Sequence, residues 1–174
     1  MPPSIQTIHL RSYSVNCYLL ENSDQFYLID TGAPKSRSDL DRALENRGCK
    51  PGNLKLIILT HADLDHSGNA AYLRQKYATK VALHRGEAPV VEQGSMSLSR
   101  GSRNLLARFI LPLLTLPKSD RFEPDILVFE PINRSTAFDK SAAEGHPTLE
   151  LLPNTPGVQN YYQLADAILY AKEA

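Results

Sequence analysis

The sequence lacks several features that mark other classes of protein. Its 19 Lys and Arg are balanced by 19 Asp and Glu, so it has no surplus of positive charge of the kind that binds nucleic acid through phosphates. No apolar run is long enough to cross a membrane, and the N-terminus lacks the basic and then apolar order of a secretory signal. The two cysteines, Cys17 and Cys49, form no CxxC pair, which favours plain thiols in a reducing, cytoplasmic setting.

Two common catalytic motifs are absent as well. There is no GxSxG sequence, so Ser97, Ser99 and Ser102 form no nucleophile elbow. There is also no GxxxxGKS/T loop to cradle phosphates. The composition, 42% hydrophobic and 22% charged over 174 residues, fits one globular domain spanning residues 1–174 with a core of its own. Chemistry therefore has to be sought among the histidines and carboxylates.

One stretch concentrates these residue types. Two of the five histidines and two aspartates lie within the six residues 61–66. The preceding apolar run, residues 54–59, predicts a buried strand, and the helical spacing of residues 69–77 predicts a helix. The polar cluster therefore occupies a tight turn between a strand and a helix, where buried elements hold a loop rigidly.

The side chains of this cluster suit a divalent metal ion. In an extended segment His61, Asp63 and Asp65 point to one side, and His66 points elsewhere as the helix begins. Imidazole and carboxylate groups bind zinc, manganese and iron. Two ions fit the set, one on His61 and Asp63 and one on Asp65 and His66. The alternative is a polar loop that caps the helix, with Asp65 or Ser67 at the N-cap.

The rest of the chain predicts a sheet with helices packed on it. The first three strands have short connections, which is typical of an antiparallel meander. A helix is expected before the strand at residues 54–59, and polar residues 133–147 read as a loop. The predicted strands are residues 5–10, 15–20, 26–29, 81–84, 125–129, 149–152 and 167–170, and the first predicted helix is residues 35–47.

Residues 85–120 differ from the rest. Within them, the segment 97–120 carries apolar residues at helical spacing, with Pro112 inside the pattern, where it kinks or ends a helix. A lid, a substrate-facing hairpin and a lipid-touching surface are functional interpretations. A core-packing helix is favoured over these, because apolar helical stripes usually face a core. The stripe consists of Leu105, Leu106, Phe109, Ile110, Leu113 and Leu114.

Residues 60–68, with the sequence THADLDHSG, resemble the THxHxDHxG signature of the metallo-β-lactamase superfamily of hydrolases. The Asp30-Thr31-Gly32 sequence after a strand resembles the DTG turn of that family, and His84 at a strand end is usual there. The resemblance implies an α/β fold, the αββα sandwich of two sheets between outer helices. It also implies that Asp30 supports the metal-binding loop from behind.

The sequence departs from the family pattern at three places. Asp63 stands where the family has its second histidine. Pro156-Gly157-Val158 resembles the PGH turn of the family, with Val158 in place of the ligand. Glu173 lies near the position of the bridging aspartate. The resemblance therefore implies a domain that lacks its last elements at the C-terminus and an incomplete second half of the site. His84 and His146 are candidates to complete it, although a single histidine is more often structural.

The function implied by the resemblance is metal-dependent hydrolysis of a small molecule. The expected metal ligands are His61, Asp63, Asp65 and His66, holding one or two ions, zinc first and iron or manganese as alternatives. A metal-bound hydroxide would attack an ester, thioester, lactone or related bond, with Asp65 as the catalytic residue that orients it. The alternative is a degenerate, inactive member acting as a binding or interaction module. A sheet left with an unpaired edge predicts a homodimer.

Overall fold

A computed structural model describes residues 4–10, 15–95, 116–128, 140, 143, 153–155 and 158–170. Within them, six strands form one sheet in the order of the sequence. The chain forms two compact units, Met1–Leu127 and Val128–Ala174, and the predicted single domain stays a prediction. The strands are β1 (Ser4–His9), β2 (Asn16–Asn22), β3 (Gln25–Ile29), β4 (Leu54–Ile58), β5 (Lys80–His84) and β6 (Ile126–Val128).

The first three strands form the predicted antiparallel meander. Leu19 of β2 lies opposite Gln6 of β1 and Leu28 of β3. Ser23 and Asp24, with φ of 51° and 62°, form the hairpin turn between β2 and β3, because left-handed residues match the twist of the paired strands. From β3 onward the neighbours are parallel, β3 with β4 and β4 with β5. Parallel pairs need crossovers, and helices supply them.

The helices lie between and after these strands. Helix α1 follows a 3₁₀ turn at Pro34–Ser36, and the short α2 begins directly after Asp63. Among the described residues, no helix is both long and apolar enough to cross a bilayer. The helices are α1 (Arg37–Glu45), α2 (Leu64–Ser67), α3 (Ala70–Tyr77), α4 (Ala88–Gln93) and α5 (Val158–Tyr170).

The core joins the sheet to α1 and α3. Leu28, Ile57 and Val81, on three neighbouring strands, are fully buried in one cluster with Leu40 of α1 and Leu73 of α3. Burying a side chain of this size stabilises the fold by about 1.5–3 kcal/mol relative to exposure. The parallel strands are therefore fixed firmly, and so are the loops at their carboxyl ends.

The predicted strand at residues 167–170 is wrong, because these residues form the end of helix α5. Tyr161 and Tyr162 belong to the same helix. A short apolar run is compatible with either structure, and the residues before it decide. Apolar residues recur from Val158 to Leu169 at spacings of three and four, which is the period of a helix.

Several predictions fall on residues outside the described ranges. They include the strand at 149–152, most of the segment 97–120, and His146, Gly157 and Glu173. These remain predictions. Strand β6 lies within the predicted strand 125–129, of which residue 129 is not described.

Candidate metal centre

The polar cluster lies at the carboxyl ends of the parallel strands. The backbone NH of Asp30, just after β3, donates to the carbonyl of Ile58 at the end of β4, with N and O 2.9 Å apart. The NH of Leu59 donates in turn to the carbonyl of Ala82 in β5, also at 2.9 Å. Ligands of open α/β sheets bind outside this edge. The fold therefore brings the loops after β3 and β4 together where a site is expected.

Asp30 is the centre of this arrangement. It is 4% exposed and has a φ of 59°, a left-handed conformation that costs energy for any residue other than glycine. Its Oδ1 accepts from the backbone NH of Thr60 at 2.9 Å, and its Oδ2 accepts from the Thr60 hydroxyl at 2.8 Å and from Nδ1 of His66 at 2.8 Å. A strained backbone held by three donors points to a functional constraint.

Thr31 and Asn69 fix the main chain around His66. The backbone NH and the hydroxyl of Thr31 both donate to the carbonyl of His66, at 2.7 Å and 2.8 Å. Asn69, 0% exposed, donates from Nδ2 to the carbonyls of Thr31 at 2.8 Å and Ala33 at 2.9 Å. The role of Asn69 was not predicted, although an amide side chain directly after Gly68 of the motif is a usable signal.

Gly68 allows this close approach. A Cβ at residue 68 would collide with the Pro34 ring and with the carbonyl oxygen of Leu64. The φ of Gly68 is −63°, which any residue adopts, so contact rather than backbone freedom requires glycine here. The turn after β3 can therefore pack directly on the end of α2.

His66 is oriented by Asp30. The hydrogen bond from Nδ1 to Asp30 raises the pKa of His66 above its ordinary value, against the lowering effect of partial burial. Nε2 lies 3.8 Å from Oδ2 of Asp65. A histidine that ligates a metal commonly donates its other ring nitrogen to a carboxylate in this way.

His61 approaches the same place from the extended part of the loop. Its Nε2 lies 3.4 Å from Oδ2 of Asp63, and its ring centroid lies 3.9 Å from that of His66. The structure thus brings all four predicted ligands together. The expected alternation is wrong for Asp65, which belongs to helix α2 with His66 rather than to the extended segment. Helix α2 begins at Leu64 because the NH groups of His66 and Ser67 donate hydrogen bonds to the carbonyl of Asp63.

The helix-capping alternative is wrong in its details. Asp63, rather than Asp65 or Ser67, occupies the N-cap of α2, and its side chain makes no capping hydrogen bond. The Ser67 hydroxyl instead donates to the carbonyl of Ala62 at 2.9 Å, and the NH of Ala62 donates to Glu87 Oε2 at 3.0 Å. The carboxylates of the loop therefore do not cap the N-terminus of α2.

The distance between the nitrogen and the oxygen of each pair can be compared with the distance between two ligands of one divalent ion. Two ligands about 2.1 Å from a tetrahedral zinc lie about 3.4 Å from each other. The pair His61–Asp63 matches this separation at 3.4 Å, and Asp65–His66 is wider at 3.8 Å. Among the residues that the structure describes, no group of three or more His, Cys, Asp or Glu is arranged as a complete ion site. The cluster contains two nitrogen–oxygen pairs, each with one imidazole nitrogen and one carboxylate oxygen.

His84 ends β5, as predicted. Its Nδ1 accepts from the NH of Gly86 at 3.1 Å, and its Nε2 is buried with no hydrogen-bond partner. An unpartnered buried nitrogen is uncommon, because it loses its bonds to water. Val158, which stands where the family ligand was expected, is fully buried as the first residue of α5.

Comparison with known proteins identifies relatives of this fold. Residues 10–163 match the family model described as the metallo-beta-lactamase superfamily. The chain is 35% identical over 86 residues to the uncharacterised protein YobT of Bacillus subtilis (strain 168), covering 49% of this chain and 36% of that protein. It is 42% identical over 48 residues to metallo-beta-lactamase domain-containing protein 1 of Rattus norvegicus, covering 28% and 19% of the two chains.

A solved structure shows the same fold. It is BJP-1, a subclass B3 metallo-beta-lactamase of Bradyrhizobium japonicum, with a TM-score of 0.56 and 21% sequence identity. The match covers 78% of this chain and 47% of that one. It confirms the predicted metallo-β-lactamase-type fold. The chain spans less than half the length of each of these three proteins.

Proposed function

Because the chain belongs to the metallo-β-lactamase superfamily, we propose that it is a metal-dependent hydrolase that acts on a small molecule. One observation carries the proposal: at the edge where the parallel strands end, a ring nitrogen and a carboxylate oxygen lie 3.4 Å apart in the pair His61–Asp63 and 3.8 Å apart in the pair His66–Asp65. The proposed scissile bond is an ester, thioester, lactone or related bond.

The proposed ligands are His61 and Asp63 for one ion, and Asp65 and His66 for a second ion or for the same one. Imidazole nitrogen and carboxylate oxygen suit zinc, with iron and manganese as alternatives. When bound, such an ion lowers the pKa of water and polarises the carbonyl under attack. The buried turn at Asp30 supports the proposal, because it prevents His66 from turning away.

Asp65 is the proposed catalytic residue. Its side chain is 39% exposed, against 22% for His66, so substrate and water have access to it. Its carboxylate orients the attacking water and accepts its proton. The first turn of α2 holds Asp65, and Thr31 and Asn69 hold α2, so the position of this carboxylate is set by buried contacts.

Metal content and hydrolysis test the proposal together. The purified chain is analysed for zinc, iron and manganese, and assayed against chromogenic esters, thioesters and lactones. His61→Ala and Asp65→Ala should each lose metal, and rates should fall by about 10²- to 10⁴-fold. The matched controls are His9→Ala, on the exposed side of β1, and Asp166→Ala, on the exposed side of α5. Both controls should keep metal and activity.

The alternative is a degenerate member that serves as a binding or interaction module. The incomplete ligand sets of the described residues favour it. Less than about a tenth of an equivalent of metal in the wild-type protein would reject the hydrolase proposal, since the chemistry depends on the ion. Metal without hydrolysis of any compound in the panel would reject the proposed substrate class and keep the metal site.

A further inference from the structure

We propose that Asp30 fixes the tautomers of both clustered histidines, His66 directly and His61 through the hydroxyl of Thr60. Both rings then carry hydrogen on Nδ1 and present the lone pair of Nε2 to a divalent cation. Thr60 is therefore a positioning residue, and one buried carboxylate sets two ligands that come from different parts of the loop.

The first step is the contact between Asp30 and His66. Oδ2 of Asp30 lies 2.8 Å from Nδ1 of His66. An ionised carboxylate only accepts hydrogen bonds, so the hydrogen of the neutral imidazole is on Nδ1. Nε2 of His66 is left with a lone pair, which is the form that binds metal.

The second step passes through Thr60. Its Oγ1 lies 2.8 Å from Oδ2 and 3.0 Å from Oδ1 of Asp30. The hydroxyl has one hydrogen, and the carboxylate can only accept it. Toward Nδ1 of His61, 3.0 Å away, Oγ1 can therefore only accept. Nδ1 of His61 must donate, and Nε2 is again left with its lone pair.

The opposite tautomer of His61 has a higher energy. If the Thr60 hydroxyl stayed on Asp30, the opposite tautomer would set the lone pairs of Nδ1 and Oγ1 against each other at 3.0 Å. If the hydroxyl turned toward Nδ1 instead, its bond to an Asp30 oxygen at 2.8 Å would be lost, and such charge-assisted bonds are about twice as strong as neutral ones. In the tautomer we assign, His61 Nε2 and Asp63 Oδ2 are two acceptors that face each other. They lie 3.4 Å apart, so their repulsion is weaker than at the shorter distances around Thr60. A cation between them removes that repulsion.

The identity of the ligand as a catalytic metal rests on the proposed function, whereas the tautomers do not. The wild-type protein is stripped of metal with a chelator, and two-bond nitrogen–proton correlations of its histidines are recorded at a pH of about 9, where imidazole is neutral. His61 and His66 should both show Nδ1–H. An Nε2–H signal from either ring in the wild-type spectrum would overturn the assignment.

Variants isolate the path through Thr60. Thr60→Val removes the hydroxyl and keeps the shape, so His61 should change to Nε2–H, which allows it to donate to Asp63, while His66 stays unchanged. Thr60→Ser keeps the hydroxyl and should keep the wild-type tautomers. Thr7→Val, at an exposed position of β1, is the control for the change of side chain. Unchanged His61 in Thr60→Val would overturn the role of Thr60.

Zinc titration gives a separate result. Loss of a group that orients a ligand typically weakens metal binding by about 10- to 100-fold, and this is the range expected for Thr60→Val, with Thr60→Ser near wild type. Equal affinity of Thr60→Val and the wild type would overturn the link between tautomer and cation. A wild-type protein that binds no zinc but shows both Nδ1–H rings would reject the proposed function and leave the tautomer assignment standing.

Discussion

At the scale of single residues, Asp30 has a strained, left-handed backbone and a buried carboxylate that accepts hydrogen bonds. Asp30→Asn keeps a residue that tolerates left-handed φ but replaces an acceptor of three hydrogen bonds by an amide. We expect a loss of about 1–3 kcal/mol in the free energy of unfolding, the cost of hydrogen bonds to a charged group. Urea unfolding measures it.

The control for this substitution is Asp24→Asn. Asp24 has a similar φ of 62° but lies at an exposed hairpin turn. Its replacement should change the free energy of unfolding by less than about 0.5 kcal/mol. If the two variants lose the same amount, the contacts of the Asp30 carboxylate do not stabilise the fold.

Because of Cys17, the free energy of unfolding is expected to depend on pH in the alkaline range. Burial, reinforced by the negative charge of Asp30, raises the pKa of the Cys17 thiol to about 12. The unfolded chain releases this proton near its ordinary pKa of 9, while the folded chain keeps it. The free energy of unfolding therefore falls as pH rises between these values, by up to about 1.4 kcal/mol per pH unit from this thiol.

Urea unfolding of the wild type and Cys17→Ala at a series of pH values above 8 checks this. Other groups titrate equally in both proteins, so the difference between them isolates the thiol. The advantage of the wild type should shrink as pH rises. Parallel curves for the two proteins would contradict the burial of a neutral thiol.

At the scale of elements, Asn69 joins the turn after β3 to the start of α3. Its amide donates to carbonyls of that turn, and its Oδ1 accepts from Nε of Arg37 in α1 at 3.0 Å. Asn69→Ala removes these hydrogen bonds, including those to the buried carbonyls of Thr31 and Ala33, and the expected loss in the free energy of unfolding is about 1–3 kcal/mol. Asn46→Ala, at the exposed end of α1, is the control and should be nearly neutral.

Hydrogen exchange locates the effect of Asn69→Ala. The amide of Thr31 and the amide of Asn69, which donates to the Thr31 hydroxyl at 3.1 Å, should lose protection first. Amides of β2 should change only with global stability, because they are paired within the sheet. Uniform loss of protection would show that Asn69 stabilises the whole fold rather than this junction.

At the scale of the whole molecule, the sheet is expected to support a homodimer. Within the described residues β1 is an edge strand, and Ile5 on it is 70% exposed. Exposed apolar edges invite pairing with a second chain. We expect a dimer in sedimentation at high protein concentration, and dissociation in Ile5→Lys. A wild-type monomer at every concentration would reject this prediction.

Much of the fold follows from local patterns. The hairpin at Ser23–Asp24 is specified by turn residues between short apolar runs, and β4 by the largely apolar run 54–59 before a polar cluster. The strand predicted at residues 167–170 belongs to helix α5, because four consecutive apolar residues fit the period of a strand and that of a buried helix. Helix α2 was missed, since one turn of helix has too few residues to show a period.

The sequence by itself determined the family and the residues of the cluster, because His61, Asp63, Asp65 and His66 are close in the chain and their types show which chemistry they can perform. Only the tertiary structure decided which atoms of those residues lie next to Asp30 and Thr60. Asp30 reaches Thr60 and His66 across 30 and 36 positions of sequence. Such contacts form when parallel strands place their carboxyl ends side by side, and no local pattern of residues encodes that proximity.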